Sequence, residues 1–225
     1  MAPIALRHCC DFVELNNKIE DAATATMSPK AIITKLAGQK SCATLDVSGA
    51  YHAMVISPED RIVTGHDSGC PKISGRLTYK RSVMGLKSSS TWLSAALSKT
   101  LAPAMGYYLL FADDILVYGK DDRQVLERLT CVIDLLRRHG WKLKRNKLVC
   151  FTKKLNVLGQ QVSLEDQTIA APRAALDAIL ERPRPGTKLE LKSFLGSVNW
   201  FGTHLPSHGQ HSATLNRICL SLIHI

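Results

Sequence analysis

From Tyr107 to Gly119 the chain is apolar and β-prone, interrupted only by Asp113 and Asp114. Aromatic and branched residues on both sides of a polar pair predict a tight hairpin of two largely buried strands, with the acids at its turn. Asp-Asp is a poor choice for the turn alone, because two-residue hairpins favour Asn-Gly or Asp-Gly, whose positive φ a second Asp tolerates poorly. Adjacent carboxylates between apolar strands also repel and lose hydration, a cost that a bound divalent cation turns into an attraction. A solvated acidic loop between core strands is the plainer explanation, and both stay open at this point.

Helical periodicity recurs along the chain. Ser28 as N-cap and Pro29 at the first helical position open a short helix over Pro29–Leu36, with apolar Ile32, Ile33 and Leu36, and Gly38 stops it. Serines before Thr91 cap a helix running to about Leu101. Asp121 and Asp122 cap a long amphipathic helix to His139, with Val125, Leu129, Val132 and Leu136 on one stripe and Gly140 after its end. Pro172 opens another helix to about Glu181, and Lys188–Trp200 carries Leu189, Leu191, Phe194, Leu195 and Val198 at helical spacing. After Leu205 the pattern decays.

Extended segments lie between these helices. Residues 5–16 predict a strand. Ser41–Tyr51 begins as a short β-like run that ends on Asp46 and passes into small residues that let a ligand approach the backbone. Met54–Gly65 predicts a strand pair around Ser57-Pro58-Glu59-Asp60, Asp67–Gly75 is turn-rich, and Tyr79–Ser90 starts as a strand before a glycine turn. In Trp141–Lys154 the cations Lys142, Lys144, Arg145, Lys147, Lys153 and Lys154 alternate with apolar residues, which predicts a strand with one basic face.

Composition narrows the partners. The 225 residues hold 29 Lys and Arg against 19 Asp and Glu, a net charge of +10, which suits a surface that meets polyanions. Nucleic acid is the first candidate and an anionic membrane the second; the basic run then reads as phosphate contact rather than as a solvated edge. No apolar run reaches the roughly 20 residues of a membrane span, and the N-terminus lacks the apolar core of a secretory signal, so an intracellular protein of cytoplasm or nucleus is expected. The seven cysteines include no Cys-x-x-Cys pair, which argues against a disulfide framework or a zinc ribbon and predicts mostly buried thiols.

Asp46 and Asp113 both end predicted strands, and if those strands are neighbours in one sheet, Asp46, Asp113 and Asp114 converge. Three acids with no histidine nearby in sequence favour hard, oxygen-liganded Mg²⁺ over zinc. Two such ions about 4 Å apart are how polymerases stabilise attacking and leaving oxygens, with no protein nucleophile.

The residues themselves carry a family likeness. Phe111-Ala112-Asp113-Asp114 with Ile115-Leu116-Val117 resembles the aromatic-x-Asp-Asp box of the reverse transcriptases of long-terminal-repeat retrotransposons, the gypsy-like group in particular, and of retroviral Pol. Leu45-Asp46-Val47-Ser48-Gly49-Ala50-Tyr51-His52 resembles the box holding that family's first catalytic Asp. Arg7 to Asn16 is similar to the fingers segment, Met84-Gly85-Leu86-Lys87 to the Pro-Phe-Gly-Leu-Lys turn, Leu158-Gly159 to the primer grip, and Lys192-Ser193-Phe194-Leu195-Gly196 to the thumb or connection signature. Val83 and Met84 stand where the family has Pro-Phe, Ser90 replaces a proline, and Val13 replaces a common arginine.

The resemblance implies DNA synthesis on RNA and DNA templates, with Asp46, Asp113 and Asp114 as catalytic ligands of two Mg²⁺ ions, Mn²⁺ being the alternative occupant. It implies nucleotide contacts at Arg7, Val47, Tyr51 and Met84, with Tyr51 as the gate against a ribose 2′-hydroxyl and Arg7 on the triphosphate. Leu158, Gly159, Lys142, Lys144, Arg145 and Lys147 are the nucleic-acid-binding candidates. The fold expected is α+β, a right-hand polymerase palm whose antiparallel sheet is backed by helices, with partial fingers and the start of a thumb. Fingers are expected over 1–40 and again at about 60–80 within a palm of 41–165, the thumb or connection over 166–205, and an unassigned tail over 206–225. The family's fingers lysine would lie upstream of Met1, and nothing after Leu205 resembles a ribonuclease H domain, so a fragment is expected. The expected partners are an RNA or DNA template with primer and deoxynucleoside triphosphates, with no membrane and no oligomeric state assigned. The alternative is a truncated, inactive retroelement-derived domain that binds nucleic acid without synthesis.

Overall fold

The computed structural model describes residues 10–20, 29–69, 72–111, 113–157 and 159–221. The chain divides into two compact units, 1–153 and 154–225. The predicted helix–strand mixture is present, and every sheet is antiparallel.

In the first unit, residues 13–16 are helical rather than extended. Helix α1 (Val13–Lys18) starts where the Asp11 carboxylate accepts from the Val13 N–H at 2.8 Å. Its Asn16 amide bonds both Gly85 O and Lys87 N across the chain, while Phe12 is buried with Val83 and Leu86. Those non-local bonds, invisible to local propensity, override the strand pattern. Helix α2 (Pro29–Leu36) lies where predicted, and Gly38 follows it at φ +73°; Ser28 lies outside the described residues.

Strand β1 (Ser41–Asp46) and the short helix α3 (Ala50–Ala53) flank Gly49, whose φ of +59° turns the chain between them. The predicted strand pair over 54–65 is absent: Val55 makes one bridge to Arg81, and Glu59–Thr64 is a 3₁₀ turn. Pro58 and the acids after it favour that turn over a ladder. The strand expected from Tyr79 likewise shrinks to the Arg81 bridge, preceded by the two-residue strands β2 (His66–Asp67) and β3 (Arg76–Leu77).

Helix α4 (Ser89–Thr100) leads to the hairpin of β4 (Tyr108–Phe111) and β5 (Asp114–Gly119). Phe111 pairs with Asp114, so Asp113 lies in the turn before β5, and Asp114 belongs to the strand, not to the turn as expected. Helix α5 (Asp122–Arg138) is capped by Asp121, which accepts from the Gln124 N–H at 2.8 Å, and Gly140 at φ +77° ends it. The run from Trp141 is not one basic strand. Leu143 bridges Val47, Arg145–Lys147 is a 3₁₀ turn, and only Val149–Thr152 forms strand β6. The sheet order is β4-β5-β1-β6.

The core of this unit lies between that sheet and the helices. Ala43, Leu45, Ile115 and Val117 meet Leu93 and Leu97 of α4, Leu101 just after it, and Val125, Leu129, Val132 and Leu136 of α5. Each fully buried branched side chain stabilises the fold by roughly 1.5–3 kcal/mol. Gly119 is required where α5 returns onto the sheet, since a Cβ there would lie 3.0 Å from both the nitrogen and Cγ2 of Val125.

The second unit holds a three-stranded meander of β7 (Lys154–Val157), β8 (Gln160–Ser163) and β9 (Thr168–Ala170). Helices α6 (Arg173–Leu180) and α7 (Lys188–Trp200) match the sequence pattern, with Pro172 at the N-cap of α6. Thr187 and Glu190 close a reciprocal capping box on α7. Where the pattern was expected to decay, helix α8 (His208–Ser221) forms and buries Ser212 and Cys219. Of the five described cysteines only Cys42 and Cys219 are buried; Cys150 is exposed, and Cys10 and Cys131 are intermediate.

Candidate active site

Asp46 is the last residue of β1 and Asp114 the first of β5, and the two are direct antiparallel partners. Asp113 sits in the adjoining turn. The strands predicted to carry the acids are therefore neighbours, and the register opposes two of the three carboxylates.

A second segment crosses the end of β1. The Ser48 N–H donates to Lys142 O at 2.7 Å, Val47 bridges Leu143, and the Lys144 N–H donates to Asp46 O at 3.0 Å. This pairing, continued by the 3₁₀ turn, carries two lysines to Asp46. Lys144 Nζ lies 2.6 Å from Oδ1 and Lys147 Nζ lies 2.7 Å from Oδ2. Lys147 donates a hydrogen bond, whereas Lys144 stands off the hydrogen-bonding direction, leaving the buried Oδ1 in an ion pair without a hydrogen bond.

The electrostatics follow from these neighbours. Asp46 is buried, at 8% exposure. Burial pushes its carboxyl up, but the positive charges of Lys144 and Lys147 and the hydrogen bond from Lys147 outweigh that and hold it below the ordinary value of 3.8. Asp114 is raised instead, by the desolvating atoms around it and then by Asp113 and Asp46, although its outer side faces solvent. Lys147 is raised by its bond to Asp46 and by that group's charge.

All three acids offer hard oxygen donors, and Asp46 Oδ1 is a buried acceptor without a hydrogen bond, so the donor set suits Mg²⁺ or Mn²⁺ better than zinc. Both Asp46 oxygens are nevertheless ion-paired to lysine, and among the described residues no three His, Cys, Asp or Glu side chains are grouped to hold a metal ion. The residues fit the cation in kind, and the lysines occupy the oxygens it would use.

The other sequence-derived candidates are dispersed. Tyr51 lies on α3, with its hydroxyl 3.3 Å from Ser90 Oγ on α4. Val47 is 1% exposed and its side chain is in the core, so only its backbone can meet a ligand. Met84 is exposed in the turn whose Gly85 has φ +91°. Lys142 and Arg145 are exposed, consistent with phosphate contact, whereas Lys144 and Lys147 point to Asp46. Gly159, at φ +68°, is in the β7–β8 turn of the second unit. Arg7 and Leu158 lie outside the described residues. Sequence reasoning missed the Asp46 pairing of the two lysines and the Ser90 partner of Tyr51. A positive run downstream of an isolated acid was the only signal for the first, and there was none for the second.

The family model described as "Reverse transcriptase (RNA-dependent DNA polymerase)" matches residues 5–162. The chain is 25% identical over 213 residues to the Gag-Pol polyprotein of feline leukemia virus, covering 91% of this chain and 12% of that protein. It is 21% identical over 214 residues to the transposon Tf2-3 polyprotein of Schizosaccharomyces pombe, covering 95% of this chain and 16% of that one. Among solved structures, the foamy viral protease-reverse transcriptase in complex with double-stranded DNA aligns at TM-score 0.78 and 20% identity, covering 94% of this chain and 36% of that one. The same viral enzyme with an RNA/DNA hybrid aligns at TM-score 0.75 and 20% identity over 94% of this chain and 28% of that one. The chain thus spans a small part of the length of the relatives it matches, and the likeness to the solved structures is one of fold.

Proposed function

The chain belongs to the reverse transcriptase (RNA-dependent DNA polymerase) family, and from that premise we propose that it is the palm-bearing part of an RNA-directed DNA polymerase of a retroelement Pol. Members of the family use divalent metals. The observation that carries the reading is the cross-strand pair of Asp46 and Asp114 with Asp113 in the adjoining turn.

Asp46, Asp113 and Asp114 would hold the cations. Cations held there would supply charge neutralisation and lower the pKa of a primer 3′-hydroxyl. Tyr51, its hydroxyl tied to Ser90, excludes a ribose 2′-hydroxyl; Arg7, Met84 and the Val47 backbone complete the nucleotide pocket. Lys142 and Arg145 hold template or primer phosphates, and Leu158 with Gly159 contacts the primer end. The partners are then an RNA or DNA template with primer and deoxynucleoside triphosphates. Fingers over 1–40 and about 60–80, a palm over 41–165 and a thumb or connection over 166–205 are the corresponding parts. Among the described residues no helix is long and apolar enough to cross a membrane.

A second reading, a nucleic-acid-binding domain without synthesis, is favoured by the two ion pairs that occupy Asp46. Primer extension on an RNA template with Mg²⁺ and deoxynucleotides separates the two, using this chain, its Asp46→Asn and Asp113→Asn variants, and a form lengthened upstream of Met1. Extension lost in both variants, with primer–template affinity kept, supports the polymerase. Extension retained in either overturns the assignment of the acids. Salt-dependent binding without extension in every form supports the second reading.

A further inference from the structure

A cavity of about 460 Å³ lies where α3, α4 and α5 all end, walled by Ala53 and Met54, Lys99 and Thr100, and His139 and Trp141. That volume suits a small organic ligand. The Trp141 indole is half-buried, and its Nε1–H donates to the buried Thr100 hydroxyl at 3.1 Å, which fixes the ring. A pinned indole is a stacking platform that needs no ordering when an aromatic ring binds. His139 donates from Nδ1 to Leu135 O at 2.9 Å, because a carbonyl can only accept, and this leaves Nε2 as an acceptor. Lys99 is exposed and, among the described residues, unpaired. No acid lines the cavity, and none occurs from Arg137 to Lys154, so its surroundings are positive. The helix-end carbonyls that would repel an anion are already bonded. Leu135, Leu136 and Arg137 O accept from the His139, Trp141 and Gly140 N–H groups, and Leu97 O accepts from Leu101 N–H.

We propose that this cavity is a second nucleotide site, lined by none of the three acids, which holds one nucleoside monophosphate unit. The base stacks on Trp141 and donates an exocyclic N–H to His139 Nε2, and the phosphate meets Lys99. A flat ring, a hydrogen-bond donor on that ring and a single anionic group are what the three side chains together select. A free nucleotide and an unpaired nucleotide of a nucleic-acid strand present the same ring and the same charge, so one site chemistry serves both sources.

The test uses the full chain in EDTA, so that no metal-dependent site contributes. Adenosine 5′-monophosphate is titrated by saturation-transfer difference NMR beside adenosine and ribose 5-phosphate, and a fluorescent single-stranded oligodeoxyadenylate is titrated by anisotropy. The variants are Lys99→Met, Trp141→Leu, and Lys120→Met at the opposite end of α5 as a charge control. The monophosphate is expected to saturate, with adenosine and ribose 5-phosphate each weaker by about tenfold or more. Trp141→Leu should weaken it by about tenfold or more and Lys99→Met by about three- to tenfold, with Lys120→Met within about twofold of wild type. Oligonucleotide affinity that falls in step with the monophosphate supports the site and identifies the unit as part of a strand. Oligonucleotide affinity indifferent to both variants, with the monophosphate weakened, supports it as a site for free nucleotide. Absence of saturation, monophosphate affinity unchanged in either Lys99→Met or Trp141→Leu, or an equal loss in Lys120→Met overturns the proposal. Lys99→Met, at an exposed position, carries the comparison if Trp141→Leu does not fold. Extension needs metal and this binding is read without it, so the proposal and the polymerase reading fail separately.

Discussion

Asp46 and Asp114 are direct cross-strand partners at the open end of β1 and β5, two carboxylates opposed where an antiparallel ladder ordinarily avoids like charge. The lysines pair with Asp46 and only partly offset the burial and negative charge around Asp114, whose carboxyl stays raised. A pairing that costs stability and serves no packing is the signature of a site kept for chemistry.

Replacing Asp114 with Asn removes that repulsion without changing shape. Asp114→Asn is expected to stabilise the fold by a few tenths to about 1 kcal/mol, the usual size of a cross-strand pair, less whatever solvent screening removes at this exposed position. Primer extension should fall at the same time by about a thousandfold or more. Urea denaturation and extension assays on the same preparation check both.

Acid should act through Asp46. Its folded-state carboxyl is held below 3.8, so its ion pairs stabilise the protein above that value, and the stabilisation is lost as pH falls through the lowered folded value. Asp114, being raised, has the opposite sign: its ionisation costs stability as pH rises past the ordinary value. Urea midpoints taken between about pH 5 and about pH 2 should decline less steeply in Asp46→Asn than in wild type.

The Tyr51 hydroxyl meets Ser90, the residue that stands where the family has proline. Tyr51→Ala should reduce deoxy-over-ribo selectivity by about 10- to 100-fold. Ser90→Ala, which only loosens the ring, should reduce it by about two- to tenfold. Single-nucleotide incorporation with paired deoxy- and ribonucleotides reads both, and unchanged selectivity in Tyr51→Ala removes the gate.

The exposed cations of the basic run should divide into two kinds. Lys142→Ala and Arg145→Ala are each expected to lower the slope of log affinity against log salt for primer–template by about 1. Lys144→Ala and Lys147→Ala should change it less, because their charge is engaged with Asp46. Fluorescence anisotropy across a salt series makes the comparison.

Gly119 tests the packing behind the site. Its added Cβ in Gly119→Ala would meet the backbone nitrogen of Val125 at 3.0 Å, so α5 must shift off the sheet, at an expected cost of about 1–3 kcal/mol. The fall in denaturation midpoint measures it.

What the sequence determined alone was whatever depends on neighbours along the chain. The stripe Val125, Leu129, Val132 and Leu136 with its Asp121 cap and Gly140 stop specified α5, and the apolar runs around the acids specified the hairpin, because periodicity and capping are local. The acidic boxes around Asp46 and Asp113 were legible for the same reason. Only the tertiary structure decided the rest. Residues 13–16 became helix through Asn16 bonding a turn far along the chain, and the run after Trp141 broke into a bridge, a 3₁₀ turn and a strand because it had to pair with the end of β1. That pairing moved Lys144 and Lys147 from phosphate candidates to partners of Asp46. An ion pair across 101 positions leaves no trace in local spacing, since Coulomb attraction depends on distance in space, and space is set by the register of the sheet.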